Sequence, residues 1–129
     1  MAGMKTKEMR MMNGRMNKSS FKSSYLRQVE FQKKVTGAKC PGDNLPHFSY
    51  HVQAMVEEMG EVMKADKRWK TFRNTRYDKG EKLDELADVF ITAINMAIHS
   101  GFSVDDVEAA IENKITENYE RLKQKEEES

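Results

Sequence analysis

The stretch KLDELADVFITAINMAIH, residues 82–99, decides how the rest of the chain is read. Its apolar residues Leu83, Leu86, Ala87, Val89, Phe90, Ile91, Ala93, Ile94, Ala97 and Ile98 surround most of a helical cylinder, which predicts a helix buried on most sides. After the first turn and a half the polar residues are Glu85, Asp88, Thr92, Asn95 and His99. At the standard helical step those five fall within an arc of roughly 80°. A polar stripe through a buried helix must be satisfied, because an unpaired buried carboxylate neutralises itself instead. Basic partners or cations are the candidates.

Working toward the N-terminus, Val52, Met55, Val56, Met59, Val62 and Met63 recur at three- and four-residue steps and predict an amphipathic helix from about Phe48 to Trp69. Before it, Pro41, Gly42, Asp43, Asn44 and Pro46 mark a loop. A weaker helical pattern over residues 24–35 stops at Gly37. Toward the C-terminus, Gly101 reads as a left-handed stop and Ser103 as the N-cap of a fourth helix. Val104, Val107, Ile111, Ile115 and Leu122 give that helix its apolar stripe. No repeat or β-hairpin signal competes, so the fold class is all-α, a four-helix unit.

The 129 residues suffice for one domain. Residues 1–22 hold six of the ten methionines and six basic side chains without a steady apolar period, and read as a mobile basic arm. The helical domain is 23–123, and 124–129 are a charged tail expected to fray. Charges nearly balance, with 22 basic against 21 acidic residues, so nucleic acid is not the default partner. No apolar run is long enough to span a bilayer. Cys40 stands alone, which excludes an internal disulfide and suits a reducing cytoplasm.

On the second helix Glu57-Glu58-Met59-Gly60-Glu61 puts Glu58 and Glu61 one turn apart on the same side, with Ala54 and Ala65 on that strip. Gly60 costs the helix roughly 1 kcal/mol relative to Ala, an expense that close packing would explain. If the second and third helices pack antiparallel, Glu58, Glu61, Glu85 and Asp88 converge into an acidic pocket. Hard oxygen ligands then favour Mg²⁺, with Mn²⁺ possible, over Zn²⁺. Either acidic pair alone would be an ordinary solvated face; their occurrence on consecutive helices is what argues for a site.

Lys64, Lys67, Arg68, Lys70, Arg73, Arg76, Lys79 and Lys82 make the connector between these helices cationic. It is either a lid that draws in polyphosphate or a solvated loop. Lys114, Asn118 and Arg121 form a polar stripe on the fourth helix that suits phosphate and sugar oxygens. His47 and His51 have the spacing of a metal pair but lack a third ligand in the sequence. Phe48, Tyr50 and Trp69 would suit base stacking, though core packing explains such residues more simply.

The phrases VEEMGEV (56–62) and KLDELADV (82–89), with Lys114-x-x-x-Asn118-x-x-Arg121, resemble the MazG-like all-α nucleoside triphosphate pyrophosphohydrolases. That resemblance, over residues 24–122, implies conversion of a (deoxy)nucleoside triphosphate to the monophosphate and pyrophosphate. It implies Mg²⁺ held by Glu58, Glu61, Glu85 and Asp88, with Glu57 as a further catalytic carboxylate. Lys82, Asn95, Lys114, Asn118 and Arg121 are the expected substrate contacts, and a homodimer or homotetramer is the expected assembly. Phosphoribosyl-ATP pyrophosphohydrolase, on the same scaffold, is the enzymatic alternative. A non-catalytic nucleotide- and Mg²⁺-binding module is the alternative from another class.

Overall fold

The computed structural model describes residues 20–73 and 77–129, and within them the chain is all-α: α1 (Phe21–Thr36), α2 (Leu45–Ala65), α3 (Lys79–Ile98) and α4 (Val104–Glu128), with a single 3-10 turn at Lys67–Trp69. The arm expected over 1–22 lies outside the described residues up to residue 19, and α1 already begins at Phe21. The chain divides into two compact units. Among the described residues, one comprises those from 20 to Leu26 together with Phe102–Ser129, and the other is Arg27–Gly101.

The Arg27–Gly101 unit is built on an antiparallel α2–α3 hairpin. Its closed end is marked by the Asp66–Tyr77 bridge and by Lys82 on Asp66. At the open end the backbone N–H of Asn44 donates to the His99 carbonyl at 2.8 Å. Asn44 caps α2 by accepting from the His47 N–H at 3.1 Å. Pro46 therefore sits in the first turn, where a proline needs no donor, and α2 starts earlier than the sequence reading placed it. The same helix stops at Ala65 instead of Trp69 because Asp66 turns into an extended conformation and caps the 3-10 turn that follows.

α3 begins at Lys79 under the Asp78 cap, with Gly80 inside its first turn. Gly101 has φ 84, and a Cβ there would stand 3.2 Å from the Asp43 nitrogen; that strand-like contact, Asp43 against Ser100, straps the 37–44 loop to the end of α3. Gly37, at φ 67, ends α1 as expected.

The polar stripe of α3 is answered from α1 only at Asn95 and His99. Gln28 donates to the Asn95 Oδ1 at 2.9 Å, Gln32 Oε1 lies 2.8 Å from His99 Nε2, and Thr92 turns its hydroxyl back to the Asp88 carbonyl. The expectation that α3 is buried on most sides fails within this chain: Leu83 is 67 % exposed, Phe90 70 % and Ile91 41 %. The hairpin covers only one flank of a helix that is apolar nearly all round. Gly60 likewise has no close neighbour where its Cβ would be, so close packing inside the chain does not explain it.

In the other unit, Ser103 and Asp106 form a reciprocal capping box at the start of α4. The buried Tyr25 hydroxyl donates to the Phe102 carbonyl at 2.6 Å. α4 continues as helix through Glu128, past residue 124 where the sequence reading expected fraying. No described helix is long and apolar enough to cross a membrane.

Candidate functional site: a carboxylate cluster on the α2–α3 hairpin

Antiparallel packing sets the middle of α2 against the first half of α3, and there the acidic side chains meet. Glu58, Glu85 and Asp88 each present an oxygen, all within 4.8 Å of one another. Glu58 and Glu85 are half-buried, while Asp88 is open to solvent. Partial burial, followed by the charges of Asp88, Glu57 and Glu61, raises the Glu58 carboxyl above its ordinary value. Glu85 is raised in the same way, by burial first and then by Asp88, Glu61, Glu58 and Glu81. Like charges held this close favour a countercharge, and hard carboxylate oxygens are the donor set that a hard divalent cation takes.

Glu61 is near enough to act on both glutamates electrostatically, yet it stands outside the converging three and pairs with Lys64 at 3.4 Å. Glu57 is exposed beside them. Asn95, an expected substrate contact, is buried and occupied by Gln28. Lys82 stands one turn before Glu85 with its ammonium on Asp66 at 2.9 Å. Lys114 and Arg121 both approach Glu117, at 3.3 and 3.9 Å, on the exposed face of α4. Asn118 lines an open apolar groove along the same helix, with Phe102, Val107, Ile111 and Ile115. Of the cationic connector, Arg76 lies outside the described residues.

Sequence reasoning missed two groupings. Asp66 gathers Arg68 and Lys82, and its only sequence signal is an acidic residue placed where the apolar stripe of α2 runs out. All three histidines of the chain cluster at the open end of the hairpin. The His99 ring lies 5.0 Å from His47 and 5.4 Å from His51, stacked on the latter. His99 is fully buried and its Nδ1 has no hydrogen-bond partner. The matched spacing of Gln28 and Gln32 with Asn95 and His99, four residues in each helix, is the signal that would have found this ladder.

The family model for phosphoribosyl-ATP pyrophosphohydrolase matches residues 41–115, more than half of the chain. The match spans both acidic helices and Lys114, and stops short of Asn118 and Arg121. No curated protein and no solved structure matches. Two consecutive helices carrying the converging carboxylates, inside that match and in an all-α fold, place the chain in the phosphoribosyl-ATP pyrophosphohydrolase family, within the MazG-like nucleotide pyrophosphohydrolases that hydrolyse phosphoric anhydrides.

Proposed function

We propose that the chain hydrolyses the α–β anhydride of a (deoxy)nucleoside triphosphate, releasing the monophosphate and pyrophosphate, with Mg²⁺ as cofactor. The observation that carries this reading is the meeting of Glu58, Glu85 and Asp88 from two helices. These three would hold the ion, with Glu61 as a further ligand or neighbour. When bound, the cation supplies positive charge to the phosphate oxygens and makes nearby water more acidic.

The residues do the rest of the work. A water oxygen attacks the α-phosphorus, the bond to the bridging oxygen breaks, and pyrophosphate leaves. The proton passes to a carboxylate not committed to the ion, for which Glu61 and Glu57 are the candidates. Lys82 offsets charge on the triphosphate, Lys114, Asn118 and Arg121 are proposed as nucleotide contacts from the sequence motif, and Asn95 is proposed as a sugar contact that would exchange its bond with Gln28 for one to the ligand. A homodimer or homotetramer in the cytoplasm belongs to the same reading, supported by the exposed Leu83, Phe90 and Ile91.

Phosphoribosyl-ATP is the second reading of the substrate, and the family match favours it. The test is pyrophosphate release from ribo- and deoxynucleoside triphosphates and from phosphoribosyl-ATP with Mg²⁺, beside Glu61→Ala and Asp88→Ala. Turnover of free triphosphates that the two substitutions abolish is the expected result. Turnover of phosphoribosyl-ATP alone selects the second reading. Nucleotide binding with no turnover of any substrate overturns both and leaves a binding module.

A further inference from the structure

Asp66 is the most heavily engaged carboxylate among the described residues. Its Oδ1 accepts from Arg68 Nε at 2.8 Å and from the Arg68 backbone N–H at 3.2 Å. Its Oδ2 accepts from Arg68 Nη2 at 2.7 Å and from Lys82 Nζ at 2.9 Å. The Arg68 guanidinium lies over the Tyr77 ring, 3.7 Å from its centroid, and Tyr77 is bridged to the Asp66 backbone. Trp69 fixes the same turn through its indole N–H on the Met63 carbonyl at 3.1 Å. The Asp66 side chain is 13 % exposed, whereas those of Arg68 and Lys82 are 57 % and 30 % exposed. One carboxylate thus anchors two cations that still reach solvent, and the group keeps a net positive charge.

The position of this group relative to the acidic cluster gives it a role. Lys82 and Glu85 are neighbours on one face of α3, separated by about 4.5 Å along the helix axis. Ammonium and guanidinium groups carry more N–H donors than Asp66 consumes, so donors remain on both for an anion. Building on the pyrophosphohydrolase reading above, we propose that Asp66 is a positioning residue: it holds Lys82 and Arg68 as a preset cationic pair at the closed end of the hairpin, where they receive the pyrophosphate portion of the nucleotide. Both cations have long, many-rotamer side chains, and ordering them before the ligand arrives removes that entropic cost from binding.

This assignment makes a prediction opposite in sign to simple charge counting. Removing a carboxylate near an anion site should tighten anion binding if only net charge matters. If Asp66 acts by positioning, removing its charge weakens binding. The probe is pyrophosphate with Mg²⁺, titrated calorimetrically into the full chain. Asp66→Asn is the main variant, since Asn is itself a good capping residue and keeps the turn. Lys82→Gln and the double variant complete a cycle.

Expected are a weakening of about tenfold for each single variant and a double variant within about twofold of the weaker single. Asp66→Asn should also raise KM for the nucleotide by a similar factor, and Lys82→Arg, which keeps the partner of Asp66, should retain most of the affinity. Asp66→Asn binding pyrophosphate as tightly as the parent or tighter, fully multiplicative effects in the cycle, or no pyrophosphate binding by the parent would each overturn the proposal. Should Asp66→Asn fail to fold by circular dichroism, the contrast between Lys82→Arg and Lys82→Gln decides, and equal losses in both refute it. A parent that turns over no nucleotide refutes the hydrolase reading separately, because the titration does not depend on turnover.

Discussion

Acidification should loosen the Arg27–Gly101 unit through its histidines. His99 is fully buried, and burial, then the nearby His47 and His51, hold its pKa below the ordinary value of 6.5. His51 is lowered by burial and then by His47. The groups around the pair are the neutral Gln32 from α1, His47 and Tyr50 from α2, and the Asn44 backbone; no carboxylate is hydrogen-bonded or ion-paired to either ring among the described residues. The unfolded chain takes up protons on these histidines near pH 6.5 while the folded chain resists. Stability is therefore fully retained above that value and falls as pH drops through it.

Each such group contributes a slope of at most about 1.4 kcal/mol per pH unit. Between pH 7.5 and 5.5 the two together remove up to about 2.7 kcal/mol, a sizeable part of the 5–15 kcal/mol typical of a domain. Urea denaturation at half-unit steps of pH measures this. His99→Phe should lose about half of the pH dependence, with a pH-independent cost of about 1–3 kcal/mol from leaving Gln32 without its partner. Comparing the two proteins cancels the titration of the acidic cluster. Equal pH slopes in the parent and His99→Phe would refute the argument.

The acidic cluster gives a prediction of opposite character. Because Glu58 and Glu85 are raised, the folded state holds their protons more tightly than the unfolded chain, and ionising them costs stability as pH rises above about 4.5. Glu85→Gln should therefore raise the melting temperature at pH 7.5 without divalent cation while lowering pyrophosphate release by about 100-fold or more; a lower melting temperature would contradict that ionisation cost. Mg²⁺ at about 100 times its Kd should stabilise the parent by about 2.7 kcal/mol in a thermal melt, an effect that Asp88→Ala largely abolishes. Gly60→Ala should stabilise the chain by about 0.5–1 kcal/mol in urea, since a methyl group there meets open space. Gly101→Ala should destabilise it by about 1–2 kcal/mol, since that backbone has φ 84.

Much of this arrangement is legible in the residues. The polar stripe of residues 82–99 announces both the acidic half of the hairpin and the need for partners along α3, and Gly37, Gly101 and Ser103 punctuate the helices where expected. Helix periodicity places Glu58 and Glu61 on one side but cannot select which of them meets Glu85; the crossing of two helices does that, and it brings in Glu58. The ends of α2 lie where Asn44 and Asp66 act through cap geometry, which a hydrophobic pattern does not encode. The partners of Asn95 and His99 come from a helix more than sixty residues away in sequence, so no local window holds them.

That pairing of Gln28 with Asn95 and Gln32 with His99 works as a vernier between two rods. Each bond adds only about 1 kcal/mol net, yet sliding α1 by one turn would keep at most one rung and strand one polar side chain on each helix with nothing to bond, at a larger penalty for each. Greasy side chains tolerate such slippage; these do not. The ladder therefore sets registration more than strength, and a chain with aliphatic residues at all four positions would be expected to gain cohesion while losing its single alignment.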